Sequence, residues 1–229
     1  MIHLAQASKK IWINATKTSV WHALTIPAER NKWETKQCEI DLRLGGTIFL
    51  DYGWGVTYRG EIKHFVLHEK LVTADENGDT TTWTIVPEDN GCLVTIEYSG
   101  QWSGDSGLAE LENMLFGTYQ FMKNLKSVME NSGDERSGFW RSWIGSINCT
   151  DSQGVKVVNV VAGTPAEGLF VEGDYLQMLN GHAVEDYDQF ESAITLAEAG
   201  SHFTVVVRRG NHFLDIPLKT IPFGTTLTK

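Results

Sequence analysis

Cysteine is scarce and unpatterned in this chain. Cys38, Cys92 and Cys149 are its only three, with no C-x-x-C pair and no histidine cluster beside them. That spacing excludes a disulfide scaffold and a thiolate zinc site, and leaves burial as small apolar side chains in a reducing compartment. Cations are scarce as well: 19 Lys and Arg face 29 Asp and Glu, a net charge of −10, and residues before and after 131 share the deficit evenly. Acidity in both halves argues against nucleic acid or anionic lipid as the main partner. No apolar run approaches the roughly 20 residues that cross a bilayer. Met1–Lys10 lacks a basic start leading into an apolar stretch and a cleavage site. A soluble, cytoplasmic protein without a membrane partner is expected.

Catalytic patterns are missing too. His64 and His68 with Glu69 invite a metal reading, but on a strand a four-residue separation spans about 13 Å, too far for one zinc. Asp105, Glu110 and Glu112 sit at a helix start, where capping and the helix dipole account for acids. Gly104-Asp105-Ser106-Gly107 and Asn131-Ser132-Gly133-Asp134 fit no strand-to-helix nucleophile elbow. The glycines at 53, 55 and 60, or at 100, 104 and 107, match neither GxGxxG nor a phosphate loop. No catalytic residue, metal or cofactor is assigned.

What is present is enough for two small domains: 229 residues, 41% of them hydrophobic. A polar, glycine-bearing break at 132–138 divides the chain, after a long helical pattern. It predicts domains over 1–131 and 139–224.

In the second half, Gly154–Val161 alternates as a strand. Gly163-Thr164-Pro165-Ala166 ends it, and Gly173-Asp174 and Asn180-Gly181 mark turns around the short strand Tyr175–Leu179. Asp188–Ala199 has the spacing of an amphipathic helix closed by Gly200, and Phe203–Arg208 and Leu214–Leu218 flank the turn Arg209-Gly210-Asn211. Few strands and one good helix predict a small, partly open β-barrel.

Ala162–Gly181, AGTPAEGLFVEGDYLQMLNG, downstream of Arg141-Ser142-Trp143-Ile144-Gly145, resembles a PDZ domain of the kind appended to HtrA-type proteases. The resemblance implies that a C-terminal peptide adds as a strand to an open sheet edge. Trp143-Ile144-Gly145-Ser146 matches the carboxylate-binding loop, Arg141 the basic position ahead of it, and Ile147-Asn148-Cys149 the strand that pairs with the peptide. Gln189, Ala193 and Leu196 share one helical face and are expected to line the groove, with Phe190 and Ile194 in the core. Ser146 replaces a common hydrophobic residue, which implies a shallower or partly polar terminal pocket. Glu167-Gly168-Leu169-Phe170 departs from the family's turn.

In the first half, Lys10–Asn14 reads as a strand and Thr16–Leu24 and Pro27–Trp33 as short helices. Six strands follow, around Cys38–Leu42, Thr47–Leu50, Thr57–Phe65, Lys70–Ala74, Thr80–Val86 and Cys92–Tyr98. A helix then runs from Asp105 or Ser106 to about Met129, with Leu108, Leu111, Leu115, Tyr119, Met122, Leu125 and Met129 as its stripe. The fold class is therefore α+β: a helix-grip domain with an antiparallel sheet and a long C-terminal helix, followed by the barrel.

Val20–Pro27, Lys32-Trp33, Leu44-Gly45-Gly46-Thr47 and Tyr58–Ile62 resemble the START-like family related to the activator of the heat-shock protein 90 ATPase. Such folds enclose a cavity between long helix and sheet. Its lining is expected to include Trp33, Phe49, Trp54, Tyr58, Trp83, Trp102, Phe116 and Tyr119, and Trp12 and Trp21 are expected in the core. The expectation is a non-catalytic two-module protein that takes a small apolar ligand or a protein surface in one module and a C-terminal peptide in the other. An enzyme of cyclase or hydrolase type using Arg59, Glu61 and Glu97 in the cavity is one alternative. A chaperone accessory protein is another.

Overall fold

The computed structural model describes residues 3–227. Its chain falls into two units: His3–Gln101 with Leu115–Ser137, and Trp102–Met114 with the chain from Gly138 onward. The division passes through the long helix, after Met114, and again between Ser137 and Gly138, at the end of the glycine-bearing break.

The first unit is a seven-stranded sheet. In chain order come β1 (His3–Ile13), α1 (Lys17–Thr25), α2 (Pro27–Arg30), β2 (Gln37–Ile40), β3 (Thr47–Asp51), β4 (Thr57–Val66), β5 (Lys70–Ala74), β6 (Thr80–Glu88) and β7 (Gly91–Ser103). Strands β2 to β7 pair antiparallel, each with the next, and β1 lies beside β7. Thr16 caps α1 by accepting from the Ser19 N–H, and Pro27 opens α2 where a missing N–H costs nothing. Helix α3 (Gly104–Met129) follows β7. From Leu115 onward it serves this unit: Met122 and Leu125 are fully buried, and Asn124 donates to the Trp33 carbonyl at 2.7 Å.

The break at 132–138 is tied down. The Glu135 N–H donates to Asn124 Oδ1 at 2.7 Å, and the Arg136 guanidinium donates to the carbonyls of Asn31 and Thr35 at 3.0 Å each. Glycine and polar composition announced a loop, but buried Asn124 gives that loop fixed partners.

In the second unit the order is β8 (Ser142–Trp143), β9 (Ser146–Asp151), β10 (Gly154–Val160), β11 (Tyr175–Leu179), β12 (His182–Ala183), α4 (Tyr187–Thr195), β13 (His202–Arg209), β14 (His212–Lys219) and β15 (Ile221–Pro222). The main sheet runs β14-β13-β11-β10-β9, with β12 on β11, and β8 pairs with β15. Ile144, Val155, Val157, Phe170, Leu176, Phe190, Ile194, Val205 and Val207 form its core. Asp174, buried, accepts from both Nε and Nη2 of Arg209 at 2.8 Å each. Asp186 caps α4 by accepting from the Gln189 N–H, and Gln189 Oε1 accepts from the Glu185 N–H in return. The first turns of α3 pack here, where Leu108 and Ala109 meet Cys149 and Val158. All three cysteines are free and buried. No described helix is long and apolar enough to cross a membrane.

Candidate functional site

Strand β9 is the end of its sheet, and its backbone decides what that edge can do. The Val161 N–H donates to the Gly145 carbonyl at 2.8 Å. The Ser146–Val160 pair is therefore the wide kind, with the N–H and C=O of Ser146 pointing away from β10. Alternation along β9 turns the same groups of Asn148 and Thr150 outward. The Thr150 N–H is already taken: the Glu112 carboxylate of α3 accepts it at 2.6 Å.

Beside this edge lies a cleft of about 500 Å³, lined by Trp143, Ser146, Ile147 and Asn148 from the loop and β9, Val158 and Asn159 from β10, Tyr187 and Glu191 from α4, Phe223, and Ser106, Ala109, Glu110 and Asn113 from α3. Helix α4 runs along it in a fixed sense. At one end the Tyr187 N–H donates to Thr150 Oγ1 at 3.0 Å; at the other, the Arg141 N–H donates to the Thr195 carbonyl and Ser142 Oγ to that of Ile194, at 2.8 and 2.7 Å. Glu191 lies between them.

The cleft is acidic. Burial raises the Glu191 carboxyl to about 7, and no described residue supplies it a hydrogen bond or ion pair. Glu112 is raised by burial, against its bonds to Thr150 and with the charges of Asp188 and Asp186. The Cys149 thiol is pushed up to about 11 by burial and by Asp105, Glu112 and Asp151. Asn148 is 1% exposed; its Nδ2 donates to Ser146 Oγ at 3.1 Å, and its Oδ1 is buried without a hydrogen-bond partner.

Of the residues expected at a peptide groove, Trp143, Ser146 and Ile147 line this cleft. Gly145 shapes its end: φ is +82°, and an added Cβ would stand 2.2 Å from Thr164 Oγ1. Ile144 is buried in the core. Arg141 extends to the end of α4, where it pairs with Glu198 and reaches the Leu196 carbonyl at 3.5 Å. Gln189, Ala193 and Leu196 stand outside the lining, and Gln189 is spent on capping. Tyr187 and Glu191 take their place. Phe190 and Ile194 are in the core, and each has a flank on either side of it; periodicity does not say which flank meets the edge strand.

The residues expected at a cavity in the first unit divide. Trp33 and Trp83 are buried and meet edge to face at 6.1 Å, and Phe116 is 3% exposed. Phe49 stands on the sheet's other face, between buried Ile48 and Leu50, with the Arg59 guanidinium 4.3 Å over its ring. Trp102 falls in the second unit. Trp54 is half-exposed and stacks on Phe121 at 6.0 Å, and Tyr52 is 5.8 Å from that same ring. The Tyr58 hydroxyl meets Thr73 Oγ1 at 3.0 Å, and Lys9 and Lys123 approach the Tyr119 ring. Beneath the aromatics is a buried ion pair, Arg30 with Glu34, in which Arg30 also donates to the Leu24 carbonyl at 2.9 Å. Burial alone would lower the Arg30 pKa; the charge and hydrogen bond of Glu34 outweigh it, and the value is raised. Burial likewise drives Tyr52 and Tyr98 well up.

Arg59, Glu61 and Glu97 are exposed, with Glu61 paired to Lys63 at 2.9 Å. They do not meet in an interior pocket, so the enzymatic alternative loses the residues it rested on. His68 turns edge-on to Trp21 at 6.3 Å. Among the described residues no group of three His, Cys, Asp or Glu side chains is placed to hold a metal.

A family model described as Activator of Hsp90 ATPase homolog 1-like protein matches residues 14–130, and a PDZ domain model matches residues 124–220. No curated protein matches. Among solved structures, a protein of Staphylococcus saprophyticus is similar at 15% identity and a TM-score of 0.50, covering 56% of this chain and 93% of its own. The Aha1 dimer of Colwellia psychrerythraea is similar at 16% identity and a TM-score of 0.48, covering 56% and 97%. At these identities the first likeness shows the fold alone.

Proposed function

Because the chain belongs to the activator of Hsp90 ATPase homolog 1-like family through residues 14–130, with a PDZ domain after it, we propose that it is a two-module binding protein whose C-terminal module captures free C-terminal peptides. The observation that carries this reading is the edge of β9, where outward backbone groups of Ser146 and Asn148 face an open cleft bounded by α4. A peptide added there gains main-chain hydrogen bonds, while the cleft receives alternate side chains. Its carboxylate would reach the Ile144-Gly145-Ser146 turn, where successive N–H groups suit an anion.

The test is binding of fluorescein-labelled peptides to the whole chain, each with a free and an amidated C-terminus. Loss of binding on amidation is expected. Equal binding of both forms, or of neither, would overturn the assignment.

The first module supports a protein or ligand surface built around Trp54, Tyr52 and Phe121. The family's description suggests a chaperone ATPase as its partner. Titration of the chain into an Hsp90-type ATPase tests this; an unchanged rate and no complex would end it.

A further inference from the structure

We propose that the cleft is selective for C-terminal peptides with a basic side chain, lysine or arginine, at the third residue from the end, and that Glu112 closes the groove beyond the last few residues. This rests on the peptide-binding reading above and gives it a ligand chemistry.

The register follows from the edge. A peptide antiparallel to β9, with its carboxylate at the Gly145 turn, sets its last residue against Ser146. Outward groups recur every second residue, so the third residue from the end faces Asn148 and the fifth faces Thr150. Helix α4 passes from Thr150 at its start to Arg141 and Ser142 at its end. Glu191, at its middle, stands across from Asn148, and both line the cleft.

Two observations of different kinds define the chemistry at that position. Asn148 Oδ1 is a buried acceptor without a donor, which costs free energy until a ligand supplies one. Glu191 is a carboxylate with no described cation, in a cleft wall that also holds Glu110 and has Glu112, Asp186 and Asp188 nearby. The one lysine on this part of the sheet, Lys156, is already bound to Asp105 at 2.5 Å. A cationic side chain that donates several hydrogen bonds satisfies the acceptor and the carboxylate together; a carboxylate or an aliphatic group satisfies neither. At the next outward position the Glu112 carboxylate holds the Thr150 N–H, so a longer peptide finds no further main-chain donor.

The experiment uses the full chain and labelled heptapeptides ending Lys-Ala-Val, Ala-Ala-Val and Glu-Ala-Val, each free and amidated. Expected is a Kd for the lysine peptide lower than for the glutamate peptide by about tenfold or more, the size typical of close charge pairs at an interface. Glu191→Gln should bring the two within about threefold while the alanine peptide binds as before. In Glu112→Ala the heptapeptide should gain over a tetrapeptide with the same end; in the unaltered chain the two should bind alike. Amidation-sensitive binding with no lysine preference, or a preference that survives Glu191→Gln, would overturn this selectivity and leave the groove standing. Binding indifferent to amidation would remove the groove and the selectivity with it.

Discussion

Glu191 gives the unliganded protein a pH signature. Its carboxyl is raised from the ordinary 4.5 to about 7 because burial penalises the charge. A folded-state value above the unfolded one means the folded protein holds the proton more tightly, so the stability associated with neutral Glu191 is full below about 4.5 and is lost as pH rises through about 7. At about 1.4 kcal/mol per pH unit the loss is at most about 3.5 kcal/mol, and because Glu191 is only partly covered, solvent screening brings it toward about 1–3 kcal/mol. Glu191→Gln keeps the shape and removes the ionisation. It should match the parent near pH 4.5 and exceed it by about 1–3 kcal/mol at pH 8, with the difference opening between pH 5 and 7. Urea unfolding of both chains at pH 4.5, 5, 6, 7 and 8, by tryptophan fluorescence and circular dichroism, measures it. Taking the difference cancels groups common to both, Glu112 among them. A difference that is flat with pH, or of the opposite sign, would refute the burial of an unpartnered carboxylate at this place.

The remaining predictions concern groups that position the two modules' interiors. Glu34→Ala strands the buried Arg30 guanidinium and should cost about 3–5 kcal/mol in urea unfolding, while Arg30→Met with Glu34→Leu should recover most of it. Arg209→Ala leaves the Asp174 carboxylate, fully covered, with only the Val171 N–H; about 2–4 kcal/mol is expected from the same assay. Gly145→Ala combines a positive φ with a Cβ 2.2 Å from Thr164 Oγ1. The midpoint should fall by the equivalent of about 3 kcal/mol or more, and Thr164→Gly in the same chain should restore part of it.

Strand alternation and helix stripes made most of the fold legible. Ile85, Val94 and Ile96 are buried as period two requires, and Leu108, Leu111, Met122 and Leu125 as period 3.6 requires. What the stripe could not show was its partner. Leu108 and Ala109 pack on Cys149 and Val158, so the first turns of the helix belong with the second unit, although the local composition changes only some twenty residues later. Phe49 was ambiguous for a related reason: in Ile48-Phe49-Leu50 every residue is apolar, and only pairing opposite Arg59 and Glu39 shows which one faces out. For α4, Phe190 and Ile194 fixed the core face, and the cleft beside β9 is lined by the Tyr187–Glu191 flank instead of the Gln189–Ala193 flank. The sequence placed Asn148 on the edge strand but gave no sign of its unpartnered side-chain oxygen, which is a missing hydrogen bond.

An exposed edge strand is a hazard, because a row of free N–H and C=O groups templates any extended chain. Strand β9 is six residues long, and a bulge opposite it, between Val157 and Asn159, twists its neighbour. At its far end the Glu112 carboxylate closes the Thr150 N–H. Ser146 and Asn148 are left as outward-facing rungs. Two rungs are too few to hold a long strand from another protein, but in the proposed binding mode they would suffice for a chain end with its carboxylate held separately at the Gly145 turn and its third side chain at Glu191. In the proposed reading the guarded edge and the capture of a terminus are consequences of one arrangement, and removing Glu112 should loosen both: longer peptides should bind better, and the chain should associate with itself more readily.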